Sequence, residues 1–381
     1  MASLKHTGIG RYVLNLLSAI KEQIKNYPFD FNLIVNKDCL PEIKKEFGNS
    51  FKYFPATSWH YSLKEQIEIP LIIKKIKPDL VHFPHFNVPV WTSKNYIVTI
   101  HDLIKHFSKG KETTTRSRTV YWLKYLIYLL VFKLTVKRAK KIIVPSKWVR
   151  QQLIQNYSFT QNKVIVIYEG VGNKIRPVKP KFLQKTLAKY QITLPYIVYV
   201  GSLYPHKNVF TLLWAIKIFN QKFSPQIKLV IVSARNIFFK RIQKQIDQLK
   251  IQEKVILTGF VDDKELAALY QKALAFVFPS LMEGFGLPGL EAMVCGCPVI
   301  ASNSSCLSEI YHQAALYFDP SDPKAISLKI KQLMDNPQLR KKLIARGYKR
   351  VKNFSWRKNA LETLKIYQQV LIQDEKNCPC L

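Results

Sequence analysis

Strand-like runs of β-branched and aromatic residues alternate with helix-periodic stretches along the whole chain. In the first half the strand-like runs are FNLIV (31–35), DLVHF (79–83), YIVTI (96–100), KIIVP (141–145) and VIVIY (164–168), with a helical pattern around 61–75. In the second half they are YIVYVG (196–201), IKLVIVS (227–233), KVILTGFV (254–261), LAFVFP (274–279), PVIA (298–301) and ALYF (315–318). Such alternation predicts an α/β fold with parallel sheets covered by helices. The stretch 170–195, rich in Lys, Pro and Gly, separates the two series and reads as an interdomain linker. The 381 residues exceed one ordinary core, so two domains are expected, over 1–175 and 176–355, followed by a helix and tail over 356–381.

The densest chemistry lies in LAFVFPSLMEGFGLPGLEAMVCGCPVIAS (274–302). A strand ends at Pro279 and opens into a loop holding Glu283, Gly284, Phe285, Gly286 and Leu287. Pro288 suits the first helical position, Leu290, Met293 and Val294 form an apolar stripe, and Gly296 ends the helix before the next strand. The loop is thereby placed at the carboxyl edge of a parallel sheet, where open α/β folds bind ligands. Helix-start N–H groups favour an anion there, and Gly284, Gly286 and Gly289 let backbone approach it. Glu283 in the loop and Glu291, read as lying in the first helical turn, accept from sugar hydroxyls rather than binding phosphate. Phosphate on the amides with hydroxyl-binding acids on either side describes a nucleotide-sugar site. The plain alternative is a surface loop followed by a helix with a solvated glutamate.

Other strand ends carry polar residues. His82 and His85 follow DLV, His101 and Asp102 follow YIVTI, and Ser146 follows IIVP. Near the start, Thr7-Gly8-Ile9-Gly10-Arg11 leads into the amphipathic VLNLLSAI as a loop-to-helix turn that can approach a phosphate or an acceptor. The formal net charge of +34 is spread over both halves, so it attracts polyanions without choosing one. Residues 105–150 hold 13 basic residues and one acid, Glu112, around the apolar run 119–136. Lys124 and Lys133 interrupt that run, which fits a basic amphipathic helix at an anionic membrane surface better than a span; burial within the domain is the other reading. Six sparse cysteines, Cys39, Cys295, Cys297, Cys306, Cys378 and Cys380, read as reduced thiols, and the start carries no signal-peptide pattern, which points to a cytosolic chain.

Glu283 and Glu291, with seven residues between them inside EGFGLPGLEAMVCGCPVIAS, resemble the E-x7-E signature of retaining glycosyltransferases of family 4. The resemblance implies a GT-B fold, two Rossmann-like domains with parallel sheets facing each other across a cleft. The first half would bind the acceptor and the second the nucleotide sugar. A chain of this fold opens with a buried strand ahead of its first glycine loop; here the loop comes almost at once, so the first strand is expected to be missing. HFPHFNVPV and His101-Asp102-Leu103 resemble the polysaccharide mannosyltransferase branch, which implies that His101 faces the donor sugar, with a helix-capping histidine as the alternative. GSLYPHKN (201–208) resembles the loop that holds the donor diphosphate: Lys207 matches, and His206, partly charged near neutral pH, stands where an arginine is common. GFV (259–261), including Val261, resembles the segment that contacts the base through backbone groups.

By this resemblance Glu291 binds the ribose, Glu283 and the amides of Phe285 to Leu287 bind the hexose, and Lys207 binds the diphosphate. The catalytic residues implied are His101, Lys207 and Glu283, with Gly8, Gly10 and His206 also toward the donor. The expected reaction moves a hexose from a nucleoside diphosphate sugar, GDP-mannose before UDP-hexoses, to a saccharide or lipid-linked acceptor, with no metal and no other cofactor. Retention through a covalent intermediate and through same-face attack both stay open. The reading from another class is a basic nucleic-acid-binding protein, but no helix-turn-helix, zinc-finger or RNA-recognition signature accompanies the charge.

Overall fold

The structure, a computed structural model, describes residues 8–92, 95–110, 114, 117–172, 175–234 and 238–377, with backbone only for the last four. Thr7, Glu112, Cys378 and Cys380 lie outside the described residues. The chain forms two compact units, one of Met1–Leu103, Arg116–Gly170 and Ser355–Leu381, the other of Ile104–Thr115 and Val171–Phe354.

The first unit opens with helix α1 (Gly8–Gln23), then β1 (Asn32–Asn36), α2 (Leu40–Phe47), β2 (Lys52–Ala56), α3 (Leu63–Ile76), β3 (Val81–Phe83) and β4 (Tyr96–Thr99). The short α4 (Ile104–Phe107) belongs to the second unit; α5 (Arg118–Arg138), β5 (Lys141–Val144), α6 (Lys147–Asn156) and β6 (Val164–Val166) return to the first. The caps are legible in the sequence. Ser62 accepts from the Glu65 N–H to start α3, and Ser146, fully buried, accepts from the Val149 N–H to start α6. Ser146, singled out as a strand-end polar residue, is therefore a helix cap.

All pairings in this unit are parallel, but they form two sheets: β1-β2 alone, and β3-β4-β5-β6. Around the larger sheet Phe86, Tyr96, Val98, Phe132, Ile142 and Val144 form one apolar core. The edge strand β2 was not expected. Its KYFPA pattern is half-exposed and contains Pro55, which an edge tolerates and a sequence reader takes for a break. Helix α5 buries only Phe132, Thr135 and Val136, whereas Val120, Trp122, Leu123, Leu126, Ile127 and Leu130 are exposed. It is therefore neither a core helix nor clearly two-faced, because apolar residues surround its first two-thirds. By length and composition it is apolar enough to cross a membrane.

The second unit contains α7 (Pro180–Lys189), β7 (Tyr196–Val200), α8 (Val209–Lys222), β8 (Lys228–Val232), α9 (Phe239–Leu249), β9 (Val255–Gly259), α10 (Asp263–Lys272) and β10 (Ala275–Phe278). There follow α11 (Leu287–Val294), β11 (Val299–Ser302), α12 (Leu307–Tyr311), β12 (Ala315–Phe318), α13 (Pro323–Asp335) and α14 (Pro337–Val351). Its six strands are parallel in the order β12-β11-β10-β7-β8-β9, with the switch in direction at β7. The stretch read as a linker is mostly packed structure. Pro180 starts α7 rather than breaking the chain, Lys189 pairs with Glu265 at 2.5 Å, and the Val178 N–H donates to Gln271 Oε1. The last helix, α15 (Trp356–Asn377), belongs to the first unit: Trp356 meets Tyr12 edge-on at 5.5 Å and Asn359 donates to the Tyr168 carbonyl.

Candidate active site

The second unit gathers its candidate residues at the carboxyl ends of β7 and β10. After β7 the chain makes a single 3-10 turn, Pro205–Lys207, closed by Asn208 in the left-handed conformation at φ 58°. Asn208 is held there by its side chain, which donates to the Pro279 and Pro320 carbonyls and accepts from the Thr211 hydroxyl. The Leu281 N–H donates to the His206 carbonyl and ties this turn to the loop after β10.

The result is a two-pronged ion pair. Lys207 Nζ donates to Glu283 Oε1 at 2.7 Å and to Oε2 at 2.9 Å, with side-chain exposures of only 17% and 9%. The Glu283 backbone is fixed as well, since its N–H donates to the Ser305 hydroxyl and its carbonyl accepts from the Cys306 thiol. Two residues 76 positions apart, assigned separately to diphosphate and hexose, are thus in direct contact. An ammonium has three donors, so Lys207 can hold Glu283 and still present a proton to an incoming phosphate.

Two sequence expectations need correction here, and a third needs an addition. Glu291 is buried, but it lies in the second turn of α11, because the helix begins at Leu287 with Gly286 as its cap. Gly286 and Gly289 also answer a packing demand that the sequence reading did not name. Gly286 has φ 96°, a Cβ there would sit 2.6 Å from Tyr311 Oη, and one on Gly289 would sit 2.4 Å from the same ring. Tyr311, wholly buried, donates to the Gly286 carbonyl at 2.6 Å and so clamps the loop from beneath. His206, expected to be partly charged, is held neutral: burial and the Lys207 charge push its pKa down to about 4, outweighing Glu283.

The remaining residues of this group have plain places. Gly284 is buried, and the Phe285 ring packs edge-on against Phe354 at 5.5 Å, leaving only its backbone for recognition. Leu287 is the first residue of α11, and Val261 is buried just before Asp262 caps α10. The buried thiols Cys295, Cys297 and Cys306 are free, with burial pushing their pKa values up, to about 12 for Cys295. They are inert neighbours of the loop rather than nucleophiles.

In the first unit His101 follows β4 and lies against Glu169. Its Nδ1 is 3.3 Å from Glu169 Oε1 and its Nε2 is 3.0 Å from the Pro84 carbonyl, an arrangement the imidazolium satisfies at both nitrogens. Burial alone would lower the His101 pKa, but the hydrogen bond and charge of Glu169, the Pro84 carbonyl and Asp102 hold it above the usual value. Glu169 was missed by sequence reading. It follows the last residues of VIVIY just as His101 follows YIVTI, so the same rule about strand ends finds it. Tyr12 from α1 packs edge-on to His101 at 4.6 Å.

His82 lies deeper. Its ring nitrogens meet the Thr99 and Tyr367 hydroxyls at 2.8 and 2.7 Å, and burial with the His101 charge lowers its pKa to about 3. It is a neutral packing residue, and the His85 ring lies tilted against Phe86 at 4.1 Å. Gly8 and Gly10, expected in a loop, form the first turn of α1; Gly10 is buried, while a Cβ on Gly8 would meet open space.

Comparison with known proteins speaks to the family and the fold. Residues 6–172 match the profile of Glycosyltransferase Family 4, and 185–350 match that of Glycosyl transferases group 1. Among curated relatives, O-antigen chain mannosyltransferase B of Escherichia coli is 27% identical over 95% of this chain and 96% of its own length. O-antigen chain mannosyltransferase RfbU of Salmonella typhimurium is 26% identical over 87% and 88%. Among solved structures, sucrose-phosphate synthase of Thermosynechococcus elongatus superposes with a TM-score of 0.76 at 21% identity, covering 96% of this chain and 94% of that one. Anabaena Alr3699/HepE, solved with UDP and glucose, gives 0.73 at 17% identity, covering 96% and 97%. With two parallel α/β units, the Glu283–Glu291 motif on the loop and helix after β10, and matches over both halves, the chain belongs to the family 4 glycosyltransferases and has the GT-B fold.

Proposed function

We propose that the protein is a retaining hexosyltransferase that uses GDP-mannose as donor and a saccharide or lipid-linked saccharide as acceptor in cell-surface polysaccharide synthesis. The observation that carries this reading is the Lys207–Glu283 pair at the carboxyl edge of the second unit's sheet, beside the start of α11. A departing nucleoside diphosphate gathers negative charge, which the Lys207 ammonium and the helix-start amides stabilise without a metal. Glu283 then accepts from hexose hydroxyls and Glu291 from the ribose. The acceptor oxygen attacks on the face the diphosphate leaves, the C1–O bond to phosphate breaks, and the acceptor's proton passes to the leaving phosphate oxygen. His101 is assigned to the donor sugar on resemblance, with Glu169 keeping it charged.

Mannose is favoured by the two O-antigen mannosyltransferases, which align over most of the chain. A UDP-hexose is the second reading, favoured by the neighbour solved with UDP and glucose. Thermal-shift screening separates them: GDP-mannose should raise the melting temperature and UDP- and ADP-sugars should not, with stabilisation growing by mass action. No shift with any of the three refutes the donor assignment.

We further assign α5 to the cytoplasmic face of a membrane. Trp122, Leu123, Leu126 and Ile127 are exposed on it around Lys124, with the basic residues Lys133, Lys137 and Arg138 following in the same helix. Each basic residue near an anionic surface contributes about 1 kcal/mol, so several in contact give reversible binding that salt weakens.

A further inference from the structure

The residues ahead of α3, Trp59 to Ser62, form a turn closed by the Ser62 N–H, which donates to the Trp59 carbonyl at 3.1 Å. Its third residue, Tyr61, has φ 65°, in the left-handed region that glycine or asparagine ordinarily fills at such a position. A bulky side chain stays there only where its surroundings over-determine it, and such residues gather at functional sites. Glu65 does the holding. One of its oxygens lies 3.0 Å from His60 Nδ1; the other accepts from the Tyr61 N–H at 2.7 Å and from the Asn87 amide at 2.8 Å. At 12% side-chain exposure, this carboxylate is fully occupied with the turn.

The turn lies beside His101. His101 Nε2 meets the Pro84 carbonyl at 3.0 Å, and the next residue, His85, brings its ring centroid to 6.0 Å from Tyr61 and 5.1 Å from His60. His60 itself lies 4.2 Å from the Tyr61 ring, tilted by 50°. Even so, Tyr61 is 55% exposed, and Trp59 on the same turn 59%. Packing gives no reason to fix an aromatic ring toward water in an unfavourable backbone conformation. Burial raises the pKa of the Tyr61 hydroxyl, and the charges of Glu65 and Asp102 raise it further. The charges acting on it are thus negative, which disfavours a phosphate and suits a ligand that donates from hydroxyls.

We propose that Tyr61 is the platform on which a pyranose ring of the acceptor stacks in the first unit. A pyranose carries a patch of C–H bonds on one face and hydroxyls around its rim. A fixed aromatic ring takes the first, and Asp102, His60 and His85 offer hydrogen-bonding groups to the second. Because Glu65 sets the turn before the ligand arrives, less ordering opposes binding. The inference rests on the hexosyltransferase reading for its ligand class, a saccharide acceptor; the residue and its stacking role come from the turn.

The test is binding of methyl α-mannoside, methyl β-galactoside and methyl β-N-acetylglucosaminide to the full chain, read by saturation-transfer NMR and titration with no nucleotide present. At least one should bind and shift the Tyr61 ring resonances. Tyr61→Asn, which tolerates φ 65° without the ring, should melt within about 2 °C of the wild type and weaken that binding about tenfold. Tyr61→Phe, which keeps the ring, should weaken it by less than about threefold. Binding by none of the three, equal binding by Tyr61→Asn, or as large a loss in Tyr61→Phe as in Tyr61→Asn would overturn the proposal. The nucleotide thermal shift separates this failure from that of the donor reading. Glycosides that bind where no nucleotide sugar shifts melting refute the donor assignment and leave Tyr61 in place, and nucleotide shifts without glycoside binding do the reverse.

Discussion

The Lys207–Glu283 pair makes the sharpest prediction. In Glu283→Gln the side chain keeps its shape and one acceptor but loses its charge. Hydrogen bonds to charged groups contribute about 1.5–3 kcal/mol each, and breaking a buried pair costs about 3–5 kcal/mol. At 17% and 9% side-chain exposure this pair lies near the buried limit, and the retained amide oxygen recovers part of the loss. A net destabilisation of roughly 2–3 kcal/mol follows, which for a unit of this size lowers the melting temperature by roughly 4–12 °C. The distinctive feature is rescue. A nucleoside diphosphate returns an anion to Lys207, so saturating GDP should narrow the gap between variant and wild type, while the transfer rate of the variant stays depressed because hexose contacts are lost. Differential scanning fluorimetry with and without GDP, beside a steady-state transfer assay, reads both. A variant that melts and turns over like the wild type would falsify the site, and a gap unchanged by GDP would separate Lys207 from the diphosphate.

Glu169→Gln should lower the His101 pKa, read from its imidazole proton shifts. Because the folded His101 pKa lies above its unfolded value of about 6.5, the pair stabilises the first unit fully below about pH 6.5, and this contribution is lost as pH rises through the folded pKa. His206 has the opposite sign: with a folded pKa of about 4, its contribution is present above about pH 6.5 and lost as pH falls toward 4, so His206→Gln should flatten the acid limb of the stability profile. Gly289→Ala places a methyl 2.4 Å from the Tyr311 ring and should cost about 1–3 kcal/mol in denaturant melts, and a Tyr311→Ala background should relieve it. Replacing exposed Leu123 and Leu126 with Ser should leave melting unchanged and reduce flotation with phosphatidylglycerol vesicles. Undiminished flotation would remove α5 from membrane contact.

Much of the second unit was legible because its strands are apolar on both faces and its helix starts carry recognisable caps. The loop after β10, the two glutamates and Lys207 were all named from residue type and spacing. Glycine roles were not: a φ of 96° and a Tyr311 ring beneath α11 belong to the packed state, and the letters G-F-G cannot say whether a ligand or a phenol demands the missing side chain. Proline misled at Pro180, because the same residue that breaks a helix interior also starts a helix.

Hydrophobic periodicity and local capping are encoded within a few residues, so the chain by itself determined two α/β halves, their strand order along the sequence and the residues at the strand ends. Pairing across long separations is not encoded locally. Contact between Lys207 and Glu283 and between His101 and Glu169, and the neutrality of His206 and His82, depend on which distant segments exclude water from one another. Only the tertiary structure decided them, since burial and proximity set both the charge state of a group and the partners within its reach.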